Sequence, residues 1–92
     1  MARVEVRLPS LLDAVWDGGQ SFSIQADSAR AALEAIAEQH PRLAIHFFDE
    51  SGALRPHVLC FWNGANTRWL DDLNAPARDG DTLQFTQAVS GG

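Results

Sequence analysis

The sequence predicts an α+β domain in which one main helix packs on one face of a small mixed sheet. Three observations favour this fold class. Apolar and polar residues alternate near both ends of the chain, the periodicity becomes helical over residues 29–39, and further strand patterns follow. The predicted order is two strands, a helix, two strands and a final strand. Because one helix covers only one face of a sheet, we expect the other face to be open.

The first strand is predicted at the amino end, where Val4, Val6 and Leu8 alternate with charged residues. A period of two places the three apolar side chains on one face of a strand. Pro9 is expected to end the strand, because proline cannot donate to a sheet ladder. The pattern over residues 10–17 is ambiguous and predicts no element.

A second strand is predicted over about 21–26, antiparallel to the first, because apolar and polar residues alternate there again. Asp27 or Ser28 then serves as the N-cap of the helix. Pro41 disfavours helical geometry in the residue before it, so the helix should stop near residue 39. The apolar stripe consists of Ala29, Leu33, Ile36 and Ala37, with Ala32 at its margin.

The segment after the helix is predicted to be irregular and apolar over 43–48, with a polar turn at 49–52. A strong strand pattern follows at 57–62. Asn63-Gly64 ends it, and this dipeptide favours the type I′ turn of a β-hairpin. We therefore expect a short returning strand at about 67–69.

The chain then forms an irregular crossover over 71–77 and a turn at 79–81. The last strand is predicted over 82–88, where apolar and polar residues alternate. We accordingly expect one domain at 1–88 and a flexible carboxyl-terminal tail at 89–92.

The composition is typical of a small soluble globular fold and excludes several classes of function. The chain has 92 residues, of which 46% are hydrophobic and 21% charged. Twelve acidic and seven basic residues give a net charge of −5, without the basic stripe of a nucleic-acid binder. All the basic residues are arginine, and the absence of lysine excludes Schiff-base chemistry. A core of this size leaves no room for a cofactor cavity and a catalytic apparatus.

Cys60 is the single cysteine, which excludes an internal disulfide. We interpret it as a buried small hydrophobe, since His57 projects from the opposite face of the same strand. His40, His46 and His57 lack metal-ligand spacing, so no metal site is expected. No segment is long and apolar enough to span a membrane and the amino end is unlike a signal peptide, so we expect a cytoplasmic protein. Three tryptophans are interpreted as packing residues or edge cover: Trp16, Trp62 and Trp69.

The carboxyl-terminal arm carries no charged side chain after Asp81 and ends in Gly91-Gly92. The last four residues could extend roughly 13 Å from the sheet. Because glycine lacks Cβ, the backbone of this arm could enter a narrow channel with an unhindered carboxylate. The pattern therefore favours a carboxylate that is presented to the active site of another enzyme. A frayed terminus is the alternative.

Taken together, these motifs resemble those of the ThiS/MoaD sulfur-carrier proteins, which have a ubiquitin-like β-grasp fold. The matching segments are Arg55-Pro56-His57-Val58, Phe61 with Asn63-Gly64, Thr67-Arg68-Trp69-Leu70-Asp71, Asp79-Gly80-Asp81 and Ala88-Val89-Ser90-Gly91-Gly92. The chain departs from residues common in the family at Trp62, Ala65-Asn66 and Asp72, which leaves the identity of its partner open.

The resemblance implies a chemistry for the Gly92 carboxylate. A ubiquitin-activating-type adenylyltransferase would adenylate it with ATP and magnesium, and the acyl-adenylate would then accept sulfur to give a thiocarboxylate. The chain would thus be a protein co-substrate and not an enzyme. It would bind no cofactor or metal itself, because the ATP and magnesium belong to the partner.

The resemblance also implies a docking surface. It places Val58, Cys60 and Trp62 inward and leaves Leu59 and Phe61 on the open face of the sheet, through which carriers of this family dock. Coverage of that face by residues 43–54 is the alternative. The expected partner-docking residues are Leu59, Phe61, Arg68 as a rim charge, Val89, Ser90 and Gly91.

Three functions remain open from the sequence: a sulfur carrier, a ubiquitin-like modifier joined to lysines of other proteins through Gly92, and a non-catalytic small subunit of an enzyme complex. The length of the 43–57 segment favours the molybdopterin-type or cysteine-type branch of the carriers. We expect a monomer when free. Its expected partners are the adenylyltransferase and a sulfur-accepting biosynthetic enzyme, with no nucleic acid or membrane. The net charge predicts a basic docking surface on the partner.

Overall fold

The computed structural model describes residues 1–9 and 20–87, without the side chain of Gln87. The ambiguous 10–17 segment with Trp16, and the predicted tail, lie outside the described residues. The elements are β1 (Ala2–Arg7), β2 (Ser21–Ala26), α1 (Ala29–Gln39), α2 (Pro41–Phe47), β3 (Val58–Trp62), β4 (Ala65–Asn66), a 3-10 helix (Thr67–Trp69) and β5 (Thr82–Gln87).

The two strands predicted at the amino end are confirmed as an antiparallel pair. Their register runs from Ala2 opposite Ala26 to Arg7 opposite Ser21. The apolar side chains of β1 are fully buried at Val4 and Val6, whereas Arg3 and Arg7 are exposed on the other face. The alternation in the sequence therefore distinguishes the buried side chains of β1 from the exposed ones, as expected for a half-buried strand.

Helix α1 begins and ends where its sequence signals predict. Ser28 is the N-cap, and its Oγ accepts a hydrogen bond of 3.1 Å from the backbone N–H of Ala31. The predicted buried stripe is wrong in one respect, because Ala37 is exposed whereas Ala32 is fully buried. The buried row thus follows the spacing i, i+3, i+7 through Ala29, Ala32 and Ile36.

The prediction of an irregular segment after α1 is wrong, because Pro41 begins a second helix, α2. Proline breaks a helix interior, but it suits the first helical position, where its missing N–H is not needed. His40 caps the end of α1 and the start of α2. The new helix buries Phe47, whose ring stacks on Phe85 of β5 at a centroid distance of 4.1 Å. The predicted turn at 49–52 is present, with the backbone N–H of Ser51 donating to the Asp49 carboxylate at 2.9 Å.

The five strands form one mixed sheet in the order β2-β1-β5-β3-β4. β1 and β5 are parallel, and the other neighbouring strands are antiparallel. The predicted hairpin turn is confirmed by the positive φ angles of Asn63 (50°) and Gly64 (87°), which a type I′ turn requires. The strand predicted at 67–69 is wrong: β4 ends at Asn66, whose side chain accepts from the N–H of Arg68 at 3.0 Å and so begins the 3-10 helix.

The core lies between the sheet and the two helices. Its largest fully buried side chains are Phe47, Phe85, Ile36, Leu43, Leu83, Val4, Val6, Val58 and Cys60. Trp62 is half-buried and packs against this core, as predicted. Trp69 is 82% exposed, so its interpretation as a packing residue is wrong. Within the described residues, neither helix is long and apolar enough to cross a membrane.

Candidate functional site

Strand β3 separates the core from the open face of the sheet. Val58 and Cys60 are 0% and 1% exposed on the core side, while Leu59 and Phe61 are half-buried and point to the opposite side. The predicted assignment of faces is therefore confirmed. We call Leu59 and Phe61 together the apolar strip; the docking role given to it stays a prediction.

The apolar strip borders polar and charged side chains on the open face. The register places Phe61 beside Gln84 of β5, and Gln84 beside Arg7 of β1. Glu5 lies on the same face of β1 and forms an ion pair with Arg7, with 3.3 Å between Nε and Oε1. The apolar part of the face is thus confined to β3, with a polar border on one side. Only the register of the sheet, which no local sequence pattern encodes, identifies Gln84 and Arg7 as its neighbours.

The strip also lies next to the last described residues of β5. β5 runs antiparallel to β3, so that Thr86 pairs with Leu59 and Gln87 pairs with Val58. Gln87 is the last residue that the structure describes, and Val89, Ser90, Gly91 and Gly92 lie outside the described residues. The predicted tail therefore continues from a strand end beside Leu59.

Arg68 is located away from the apolar strip. Its Nη2 donates to the backbone carbonyl of Arg55 at 2.9 Å, and its side chain lines a groove of about 700 Å³ between α1, α2 and the 49–54 turn. Leu59 and Phe61 do not line this groove. The structure thus brings two of the predicted docking residues together on one face and places Arg68 on a different surface.

The interior offers no reactive group in the described part of the chain. Burial raises the pKa of the Cys60 thiol to about 12, although a hydrogen bond with Thr67 opposes this shift. His57 is exposed and precedes β3, so it forms no dyad with the buried thiol. The described residues contain no group of three or more His, Cys, Asp or Glu side chains that could hold a metal ion. The candidate site consequently consists of the exposed part of the apolar strip and the last described residues of β5.

The sequence of the chain matches the model of the ThiS family over residues 20–92. The chain belongs to the ThiS family. This membership and the arrangement of the mixed sheet confirm the predicted ubiquitin-like β-grasp fold. No curated protein matches the chain.

Three solved structures illustrate the range of its ThiS-type relatives. Small archaeal modifier protein 1 (SAMP1) from Haloferax volcanii is 26% identical, with a TM-score of 0.75, over 97% of this chain and 100% of that one. A chain of the Amycolatopsis orientalis BexX/CysO complex is 25% identical, with a TM-score of 0.76, over 97% and 99%. CysO from Mycobacterium tuberculosis is 25% identical, with a TM-score of 0.74, over 94% and 99%.

These relatives are similar to the present chain over nearly its whole length. By name, the Haloferax relative is a small modifier protein, and the Amycolatopsis structure is a complex of CysO with BexX. The chain is accordingly assigned to the sulfur carriers and ubiquitin-like modifiers of the β-grasp fold.

Proposed function

We propose that this chain is a sulfur carrier whose Gly92 carboxylate is adenylated by a partner enzyme and then converted to a thiocarboxylate. The observation that carries this proposal is the pairing of Thr86 with Leu59, which brings the apolar strip beside a residue that precedes Gly92 by only six positions in the sequence. A partner that holds the apolar strip is thus positioned to receive the tail in its active site. Membership of the ThiS family supports the same conclusion.

The chemistry needs only the terminal carboxylate from this chain. A carboxylate oxygen attacks the α-phosphorus of ATP, and pyrophosphate leaves with the electrons of the broken phosphoanhydride bond. A nucleophile at the oxidation level of sulfide then attacks the acyl carbon, AMP leaves, and Gly92 carries a thiocarboxylate. ATP and magnesium are bound by the adenylyltransferase, and the carrier contributes no general base, metal or cofactor. Gly91 and Gly92, which lack Cβ, leave the reacting carbonyl accessible in a narrow channel.

The docking surface in this proposal consists of the apolar strip and residues 89–91. Apolar patches on small proteins commonly mark partner sites, and the net charge of −5 favours a partner with a basic surface. Arg68, on the groove side, contacts the partner only if the interface extends around the β4 edge. The molybdopterin-type or cysteine-type branch is favoured by the 43–57 segment, which contributes much of α2 and the following turn.

A second candidate function is conjugation of Gly92 to amino groups of other proteins. Its support is the 26% identity to the small archaeal modifier protein over the full length of that protein. Both functions start with the same acyl-adenylate. They differ in the nucleophile that attacks it, which is a sulfur nucleophile for the carrier and a protein amino group for the modifier. The mass of the recovered protein therefore distinguishes them.

The deciding experiment is intact-mass spectrometry of the protein isolated from its native host. A mass gain equal to sulfur replacing oxygen, lost when Gly91 and Gly92 are deleted, is expected for the carrier. Isopeptide-linked adducts would instead support the modifier. The shortened chain should keep its urea-unfolding midpoint while ATP–pyrophosphate exchange with the activating enzyme is lost. An unmodified terminus under sulfur demand, or unchanged exchange with the shortened chain, would refute the mechanism.

A further inference from the structure

Among the described residues, strand β2 forms an outer edge of the sheet, and the proposed function does not use this edge. In the order β2-β1-β5-β3-β4, it lies at the opposite side of the sheet from β4. It is six residues long, and within the described part of the chain it pairs with β1 alone. An unpaired edge of this kind is a template for another strand.

The hydrogen bonds of the sheet show which backbone groups face outward. The N–H of Leu8 donates to the carbonyl of Gln20 at 2.8 Å. In an antiparallel ladder such bonded positions alternate, so Phe22 and Ile24 also face β1. Ser21, Ser23 and Gln25 consequently turn their N–H and C=O groups away from the sheet. The hydrogen bonds on the other side of β1 follow the same alternation. The N–H of Glu5, which lies opposite Ser23, points away from β2 and donates to the carbonyl of Asp81 at 2.9 Å.

Nothing in the sequence of β2 protects this edge. Proteins usually block free edges with charged side chains, proline, bulges or very short strands. β2 reads Ser-Phe-Ser-Ile-Gln-Ala and contains no charged residue, proline or glycine. The opposite edge is blocked, because β4 is two residues long and continues directly into the 3-10 helix.

We propose that β2 pairs antiparallel with β2 of a second copy of this chain, about a two-fold axis at Ser23. In this register Ser23 faces Ser23 of the second copy, and Ser21 faces Gln25 of the second copy. Every residue with outward backbone groups thus meets another such residue and exchanges two N–H···O bonds with it. In a register shifted by one residue, the outward N–H and C=O groups of one β2 strand would lie opposite residues of the other strand whose N–H and C=O groups point inward.

The side chains are also compatible with self-pairing. On the core side, Phe22 would lie opposite Ile24 of the second copy, and a pair of an aromatic and a β-branched side chain is favourable between antiparallel strands. On the open face, only serine and glutamine side chains meet, so no like charges oppose each other. In this register both the outward backbone groups of β2 and its uncharged open-face side chains are complementary to those of a second copy.

The dimer is expected to be weak and to leave the docking surface free. Pairing of two short strands buries far less than the roughly 1,200 Å² of a stable complex, so the monomer prevails at low concentration. β2 and β3 are separated by β1 and β5, and at about 4.8 Å between neighbouring strands the edge lies roughly 14 Å from the apolar strip. The inference is therefore independent of the proposed sulfur chemistry.

Sedimentation equilibrium from about 10 µM to about 1 mM protein tests the proposal. We expect a monomer–dimer equilibrium in this range. Ser23→Pro removes an outward N–H that makes no ladder bond within the described residues, so the variant should fold and self-associate at least about tenfold more weakly. Ser23→Asp, which opposes two carboxylates at the two-fold axis, is a second variant that avoids proline. Gln84→Asp adds the same charge on the same face of central β5 and should leave the association unchanged.

Amide hydrogen exchange locates the interface. The amides of Ser21, Ser23 and Gln25 should exchange fast in dilute protein and more slowly as the concentration rises, while those of Phe22 and Ile24 stay protected throughout. A monomer at the highest concentration, or equal association of Ser23→Asp and Gln84→Asp, overturns the proposal. Protection of Ser23 at every concentration also overturns it, because the edge would then be paired within one chain.

Discussion

Among the described residues, Cys60 has a side chain whose acidity is changed strongly by its surroundings. It is 1% exposed, and burial raises the pKa of its thiol from 9.0 to about 12. The chain contains neither lysine nor tyrosine, so Cys60 is the side chain that titrates between about pH 9 and pH 12. Because the folded pKa lies above the unfolded one, the thiol contributes its full stability below pH 9. That contribution is lost as the pH rises toward 12.

We therefore expect the free energy of unfolding to fall from pH 9 to pH 12, by at most about 1.4 kcal/mol per pH unit. Urea unfolding at a series of pH values measures this slope. Cys60→Ala is the matched variant: it should be less stable at pH 7 because the buried sulfur is lost, but its stability should be nearly flat across the alkaline range. An equal slope in both proteins would show that the thiol is not the cause.

At the scale of elements, the N-cap of α1 makes a separable contribution to stability. Ser28 is buried, and its Oγ accepts the 3.1 Å hydrogen bond from the N–H of Ala31. Ser28→Ala leaves this N–H without its partner, which should lower the free energy of unfolding by about 1 kcal/mol. Ser21→Ala changes an exposed serine outside the helix and should have little effect. If the two variants lose the same stability in urea, the cap makes no special contribution.

The elements that were predicted correctly carry their signals locally. Period-two alternation identified β1 and β2, the cap at Ser28 marked the start of α1, and Asn63-Gly64 identified the hairpin. Helix α2 was missed because Pro41 ends one helix and also begins another, and local sequence does not distinguish these roles. The 3-10 helix was missed because it depends on one side-chain bond from Asn66. The first failure thus comes from a residue with two possible roles, and the second from a single side-chain hydrogen bond.

The candidate site, like the fold, was predictable only where the signal is local in the sequence. Strand parity alone assigned Leu59 and Phe61 to one face and Val58 and Cys60 to the other. The position of Arg68 was not predictable, because it depends on a hydrogen bond to Arg55, which is distant in sequence. The proximity of Leu59 to the start of the tail also required the pairing of β3 with β5, which is a long-range contact.

At the scale of the whole molecule, the open face should govern recognition by the activating enzyme. Phe61→Asp places a charge in the apolar strip and should raise the carrier concentration for half-maximal ATP–pyrophosphate exchange at least about tenfold, as for the loss of an interface anchor. Gln25→Asp introduces the same side chain on the same face, three strands away on β2. This control should behave as the unchanged protein.

Both variants must first be shown to fold, by urea unfolding, since Phe61 is half-buried. Equal kinetics of ATP–pyrophosphate exchange for the two folded variants would show that the apolar strip is not part of the docking surface. A defect in both would indicate that net charge, and not this strip, decides recognition.

If the proposed function holds, the central position of β5 links completion of the fold to competence as a substrate of the activating enzyme. Without β5, the order of strands leaves two hairpins, β2-β1 and β3-β4, with no ladder between them. The pairing that joins them connects residues far apart in sequence, such as Glu5 and Thr82, which is slow to form. The strand that closes the sheet is also the strand that leads to Gly92. A partner that requires both the apolar strip and the tail would therefore bind fully folded molecules and not incomplete ones. Under the proposed function, the topology would thus restrict activation to carriers that have finished folding.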